Sequence, residues 1–273
     1  MESRIERGCF IFIFVLLATG QCIEKEDFAV INASDPLAWY NLGNELLLSG
    51  EYNESLEAYD KATDLNESFK EAWNRKCNAL HNLSRYNECL EVIQIAIKLD
   101  PDFALALNNK GITLAELGKY DEAIQAFNEA IELDPRPAIA WYNKGHILYT
   151  QGKYSEAIRA YDRAIELDLR YADALNNKGI ILDKLGKYNE AIQAYDKAIE
   201  SNPDYARAWN NKGVTLYGFG KSNEAIQAYD KAIELDPGYG MAWNNKGVAL
   251  TSLGRIPESN AAFAKAKELG YTG

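Results

Sequence analysis

Histidine is almost missing from this chain: there are two in 273 residues, His81 and His146. Neither has a carboxylate or cysteine group around it at metal-ligand spacing, which argues against a zinc-type centre and leaves both as groove or surface residues. Cysteine is scarce as well, with Cys9 and Cys22 near the N-terminus and only Cys77 and Cys89 beyond it. No nucleophile elbow, phosphate-cradling loop, HExxH or CxxC is present. Without a catalytic constellation the chain is not expected to be an enzyme or to hold a cofactor or metal. Low-complexity tracts and blocks of one charge, the marks of a disordered tail, are also absent. Basic residues are in deficit, 29 Lys and Arg against 40 Asp and Glu, for a net charge of −11. Residues 1–20 carry two of each sign (Arg4, Arg7; Glu2, Glu6), so their removal would leave that excess unchanged. Such an acidic surface argues against nucleic acid and anionic membranes as main partners.

A long hydrophobic run is lacking too. The one apolar stretch, Gly8 to Ala18, follows the charged start MESRIER and leads into the small residues Ala18, Thr19 and Gly20. This is the layout of a secretory signal peptide cut at Gln21. The run is shorter than the roughly 17–25 residues of a spanning helix. Three other readings stay open: an uncleaved anchor that tethers the chain to a membrane, a lipid-bearing Cys22, and a buried helix of the fold. The expected location is outside the cytoplasm, secreted or at the cell surface, or membrane-anchored with the remainder outside. Residues 21–35 show no helical period and read as a tether. Asp35 followed by Pro36 is a helix-start pair, a capping carboxylate and then a proline whose missing N–H costs nothing at the first helical position.

From Pro36 onward one pattern recurs every 34 residues, in copies at 36–69, 70–103, 104–137, 138–171, 172–205, 206–239 and 240–273. Counting Pro36 as position 1, position 4 is Trp or Leu and position 8 is Gly except for Cys77. Position 27 is Ala from Ala62 to Ala266. Positions 4, 8 and 11 (Trp209, Gly213, Leu216) share one face of a first helix, and positions 20, 24 and 27 (Ala225, Tyr229, Ala232) one face of a second. GKY or GEY segments separate the two, glycine ending the first helix. Asn, Asp or Ser at position 18 is expected to cap the second, followed by Glu at position 19 in every copy, where the helix N-terminus favours negative charge. A glycine inside a helix costs roughly 0.5–1 kcal/mol against alanine. Close approach of the paired helices, with the Ala of positions 20 and 27 opposite, is the expected reason for position 8. Positions 21 and 28 are apolar in copies 2 to 6 but become Asn260 and Lys267 in copy 7, which reads as a polar end cap of a complete array.

The pattern W-x2-L/K-G-x2-L…A-x3-Y/F-x2-A…P resembles the tetratricopeptide repeat across everything after residue 35, and the NKG form of positions 6–8 resembles arrays of methanogenic archaea and cyanobacteria. The resemblance implies an all-α fold, a right-handed superhelical α-solenoid of seven antiparallel helix pairs. It further implies a concave wall formed by positions 2, 5, 9, 12 and 13. On that wall the candidate protein-binding residues are Tyr40, Asn44, Asn74, Asn78, Asn108, Ile112, Tyr142, His146, Tyr149, Asn176, Ile180, Asn210, Val214, Tyr217 and Asn244. The wall is amide, aromatic and aliphatic. The Lys and Arg that clamp a terminal carboxylate in chaperone-binding members have no match here, which argues against that ligand class.

Position 6 is Asn in every copy but the second, where Arg75 stands. This resembles the asparagine ladder of O-linked N-acetylglucosamine transferase, which would hold an extended peptide by its backbone; the plainer reading is that these amides brace neighbouring copies. Cys77 and Cys89 fall at positions 8 and 20 of copy 2, as two small apolar fillers or as a disulfide suited to an extracytoplasmic address. Four N-x-S/T sequons (Asn32, Asn53, Asn66, Asn82) precede residue 90, a number chance accounts for in an Asn-rich chain. The functional expectation is a non-enzymatic scaffold that binds other proteins or extended peptides in its groove. The alternative is a membrane-tethered assembly subunit that uses its ends or convex face. Partner identity and oligomeric state are not written in the sequence.

Overall fold

The structure, a computed structural model, describes residues 33–271; the expected export signal, most of the tether, Cys9, Cys22 and Asn32 lie outside them. Fourteen helices and no strand occur among the described residues. None of these helices is long and apolar enough to cross a membrane. The chain divides into two compact units between Leu133 and Asp134. The first holds α1 (Pro36–Leu48), α2 (Tyr52–Leu65), α3 (Lys70–Asn82), α4 (Tyr86–Leu99), α5 (Ala104–Glu116) and α6 (Tyr120–Leu133). The second holds α7 (Ala138–Thr150), α8 (Tyr154–Leu167), α9 (Ala172–Lys184), α10 (Tyr188–Ser201), α11 (Ala206–Gly218), α12 (Ser222–Leu235), α13 (Gly240–Ser252) and α14 (Ile256–Glu268). In each unit a first helix packs on the second helix of its own copy, and that second helix packs on the first helix of the next.

Local signals set the helix limits. Asp35 caps α1, its Oδ1 accepting from the Leu37 N–H at 2.9 Å ahead of Pro36. The first helix of each copy ends on the residue at position 15 in the left-handed region, as at Gly186 (φ 73°). The next N–H, of Lys187, then bonds back to the Leu182 carbonyl at 2.9 Å. Ser84 (φ 58°) takes this place in copy 2 and is the one non-glycine of positive φ among the described residues. The cap expected at position 18 is not formed in copies 1, 2 and 4 to 6. The second helices begin one residue earlier, with a basic residue such as Arg85, Lys187 or Arg255 at the N-cap and no side-chain cap bond. In copies 2, 5, 6 and 7 Glu at position 19 reaches back to that residue instead. Glu88 takes two hydrogen bonds from Arg85, at 2.7 and 2.6 Å, while Lys187–Glu190 and Lys221–Glu224 are looser at 3.5 Å.

The reason for glycine at position 8 also differs from expectation. The atoms nearest a Cβ there belong to the aromatic ring at position 24 of the same copy, ahead of the small residues at positions 20 and 27. A Cβ on Gly213 would stand 2.5 Å from Tyr229 Cε1. These rings are the largest fully buried side chains; Tyr59, Tyr161, Tyr195, Tyr229 and Phe127 are at most 2% exposed. Copy 2 changes both partners together: Cys77 stands at position 8 and Ile93 at position 24, with Cys89 at position 20. The structure joins Cys77 and Cys89 in a disulfide with their Cα atoms 4.4 Å apart, buried beside Ile93. In copies 1 and 7 a serine at position 20 donates instead to the position-8 carbonyl, Ser55 to Gly43 at 2.8 Å and Ser259 to Gly247 at 2.9 Å. Asn260 and Lys267 are exposed on α14.

Three outcomes follow from this packing. Gly213→Ala should destabilise by about 1–3 kcal/mol through overpacking. In a double-mutant cycle with Tyr229→Ile the loss should be clearly less than additive, because Ile vacates the space the methyl needs. Ser84→Gly should stabilise by about 1 kcal/mol by removing left-handed strain, read as a shift in urea midpoint. Burial raises the Tyr59 hydroxyl to about 12 and holds Tyr161, Tyr195 and Tyr229 higher still. A phenol whose folded pKa lies above its unfolded value of about 10 adds stability in full below pH 10 and loses it as pH climbs toward the folded value. Stability should therefore fall steeply above pH 10, with tyrosinate absorbance at 295 nm (roughly the phenolate band) rising in step with loss of helix.

Candidate functional site

The first helices carry the residues expected to face a ligand, and the structure sorts them into a seam and an open wall. The amides of position 5 belong to the seam. Asn74, Asn108, Asn176 and Asn210 are buried, at most 6% exposed. The position-6 asparagine of the next copy donates to three of them: Asn211 Nδ2 to Asn176 Oδ1 at 3.0 Å, Asn245 Nδ2 to Asn210 Oδ1 at 3.0 Å, and Asn109 Nδ2 to Asn74 Oδ1 at 2.8 Å. Where position 5 is tyrosine, the same contact persists, Asn177 Nδ2 reaching Tyr142 OH at 3.3 Å. These asparagines brace adjacent copies, so they offer no row of free amides to a peptide backbone. Tyr40 and Tyr142 are half-buried in the same seam. Each packs a tilted ring 5.0 Å from the aromatic at position 34, Phe69 and Tyr171 respectively. Asn244 is half-buried.

Lysine at position 7 acts in the seam as well, a role the sequence reading left unassigned. Lys76 pairs with Asp60, Lys178 with Asp162, Lys212 with Asp196 and Lys246 with Asp230, at 2.5–2.6 Å, each aspartate standing at position 25 of the preceding copy. Where position 4 is tryptophan the ammonium also lies over its ring, 4.9 Å for Lys76 on Trp73 and 5.3 Å for Lys212 on Trp209. The indole N–H closes the turn between copies by donating to position 32, Trp73 to the Glu67 carbonyl at 2.8 Å and Trp243 to that of Pro237 at 3.2 Å. Lys144 sits over Trp141 at 5.3 Å, and burial pushes its ammonium below the ordinary lysine range.

The open wall is formed by positions 2, 9 and 12. In the second unit His146, Val214 (41% exposed) and Val248 (38% exposed) are open at position 9, with Ile180 half-buried between them. Tyr149, Asp183 and Tyr217 flank them, half-buried, at position 12. Asp183 Oδ1 accepts from Thr215 Oγ1 at 2.8 Å, which leaves an aliphatic strip bordered by phenol rings. Position 2 adds exposed Ile139 and Met241 and, between them, a pair of opposite charge. Tyr205 OH donates to Asp173 Oδ1 at 2.5 Å while Arg207 Nη2 donates to the same hydroxyl at 3.1 Å.

In the first unit Asn44 Oδ1 accepts from Tyr59 OH at 2.8 Å, and Ile112 is half-buried. Here the wall folds into a cavity of 230 Å³ lined by Leu47, Cys77, Asn78, His81, Asn82, Asn109, Ile112 and Thr113. Thr113 Oγ1 lies 3.1 Å from Cys89 Sγ, so the disulfide forms the back of this cavity. No group of three or more Cys, His, Asp or Glu gathers at metal-binding distance among the described residues.

The tetratricopeptide repeat model matches residues 36–69 and, in overlapping pairs, 78–137, 108–168, 142–206, 176–240 and 215–270. A comparison with curated proteins finds no match. Among solved structures the chain is similar to MamA (28% identity, 59% of this chain and 94% of that one, TM-score 0.55). It is also similar to YrrB, described as a TPR protein with an unusual peptide-binding site (26% identity, 68% and 96%, TM-score 0.55). PilF of Pseudomonas aeruginosa (22% identity, 76% and 94%, TM-score 0.67) shares the fold.

Because the seam amides pair with one another, Asn211→Ala leaves the Asn176 oxygen buried and unpaired. A loss of about 1–3 kcal/mol is expected, seen as a lowered melting temperature by circular dichroism. For Val214→Ala, on the open wall, the shift should stay within about 0.5 kcal/mol.

Proposed function

The chain belongs to the tetratricopeptide repeat family, and we propose that it is a non-enzymatic scaffold that binds extended peptide segments of other proteins. The observation that carries this reading is the exposed strip of Val214 and Val248 with Ile180, bordered by Tyr149 and Tyr217 on successive first helices. Successive copies repeat each wall position at one-copy intervals, a one-dimensional lattice matched to an extended chain rather than to a compact small molecule. Apolar contact along it supplies affinity, and the flanking phenols give both ring surface and a hydrogen-bonding tip. The peptide-binding site named for YrrB is in keeping with this use. Since positions 5 and 6 are spent within the seam, the binding residues are those of positions 9 and 12, with position 2 at the rim.

The place of action is outside the cytoplasm. The layout of residues 1–20 and the buried Cys77–Cys89 disulfide both suit an oxidising compartment. The acidic surface keeps the scaffold from nucleic acid and from anionic lipid.

Val214→Asp with Val248→Asp should weaken retention of bound peptide by roughly tenfold or more, about 1.4 kcal/mol, while helix content and melting temperature hold. Unchanged retention by the double variant sinks the groove reading in favour of binding through the ends or convex face. N-terminal sequencing and non-reducing mass spectrometry of native protein should find a start near Gln21 and a mass lower by two hydrogens for the Cys77–Cys89 bond. A retained residue 1 would instead mark a membrane tether, and free thiols would remove the disulfide from the argument for export.

A further inference from the structure

The cavity of the first unit differs from the rest of the wall in being lined by neutral polar groups whose orientations are fixed. Asn109 Nδ2 donates to Asn78 Oδ1 at 2.9 Å, so Asn78 has its own NH2 left to offer. Asn82 Nδ2 donates to the Asn78 backbone carbonyl at 2.8 Å, which leaves Asn82 Oδ1 as an acceptor. His81 lies between them in sequence and lines the same cavity. Its ring meets Tyr86 edge-on at 5.3 Å, and its Nε2 is buried with no hydrogen-bond partner. A buried polar atom without a partner is uncommon in folded proteins and asks for a reason. No Lys, Arg, Asp or Glu lines the cavity; Leu47 and Ile112 give it apolar walls.

We propose that this cavity is a subsite for a primary carboxamide, the side chain of a glutamine or asparagine in the bound peptide. The inference rests on the peptide-binding reading and names what one part of the groove selects. A carboxamide brings one C=O and two N–H groups. The C=O accepts from Asn78 Nδ2, and one N–H donates to Asn82 Oδ1. His81 Nε2 is covered as the ring stands, so it takes the second N–H once the imidazole turns toward the cavity, in the tautomer that carries its proton on Nδ1. Asn78 and Asn82 stand one helical turn apart, with Cβ atoms about 5–6 Å from each other. A single hydroxyl does not span that gap, whereas the edge of a carboxamide presents donor and acceptor side by side. A trans peptide group points its N–H and C=O to opposite sides, so the ligand's backbone does not substitute. A carboxylate donates nothing and an ammonium accepts nothing, and either charge would enter a cavity without a counter-ion. Leu47 and Ile112 receive the methylenes that lead to the amide.

Random dodecapeptides displayed on phage and selected on the full chain provide the probe. The expected result is enrichment of Gln or Asn at one fixed position. A synthetic peptide of the enriched sequence should bind about tenfold more tightly than its analogues with Leu or Glu at that position. Asn78→Asp keeps the acceptor that Asn109 uses and removes the donor, so the preference should move from carboxamide to lysine while helix content by circular dichroism is retained. Enrichment with no carboxamide position overturns the proposal, as does a carboxamide preference that persists in both Asn78→Asp and His81→Leu. Peptides lacking a carboxamide that are enriched, and then lost in Val214→Asp, would leave the groove reading standing and remove the subsite. A wild-type chain that enriches no peptide at all would remove both.

Discussion

Every copy but the second is built on the contact between a missing side chain and a ring. The residue at position 8 gives up its Cβ so that the aromatic at position 24 can lie flat against the first helix, as Tyr229 does against Gly213. The glycine weakens its own helix by roughly 0.5–1 kcal/mol, while a buried ring of this size removes far more apolar surface from water than that penalty costs. The contact also sets how closely the two helices of a copy approach, and hence where the first helix presents its outer face. The open wall depends on that spacing, although none of its residues touches the glycine.

Contacts between copies are of another kind. Within a copy the packing is mainly apolar; across the seam a repeated set of directed bonds is added to it. A position-6 amide donates to position 5 of the copy before, and a position-7 ammonium pairs with the aspartate at position 25 of the copy before, resting on tryptophan where position 4 supplies one. Isolated surface ion pairs contribute little, but these lysines are only about a fifth to a quarter exposed and repeat at every copy that has both partners. Directed bonds fix register more sharply than apolar contact does, and in a one-dimensional array the register of each copy sets the next.

Much of this was legible in the sequence, and the limits of legibility have physical causes. The 34-residue period, the helix pairs and the start at Asp35-Pro36 follow from spacing and from the chemistry of aspartate and proline, because those signals are local. The position-8 glycine was legible as a packing device, but its partner was not, since Ala at positions 20 and 27 is as regular as the ring at position 24 and period alone does not say which one it meets. The position-18 residues resemble caps in composition, yet the helix begins at position 17, and in copies 2, 5, 6 and 7 the Arg or Lys at position 16 engages Glu instead. The candidate wall residues divide by burial. Positions 9 and 12 are open to differing degrees, while Asn74, Asn108, Asn176 and Asn210 turn into the seam. Asparagine is ambiguous in sequence because one amide serves a ligand or a neighbour equally well, and only the position of the next copy decides.

Copy 2 shows how the shared frame permits local invention. Losing the ring at position 24 to Ile93 frees the space that position 8 elsewhere must leave empty, and a side chain returns there as Cys77, joined to Cys89. The disulfide therefore fills a gap that the other copies fill with a phenol or phenyl ring. The same copy departs from the pattern at Arg75, His81 and Ser84, and the cavity of the first unit lies against it. Copy 2 also carries polar groups at positions 9 and 12, Asn78 and His81, where the next copy carries Ile112 and Ala115. Change at the core positions and change at the wall positions thus coincide in one helix pair. In such an array, specificity is introduced copy by copy, at the positions where the packing has already been made to vary.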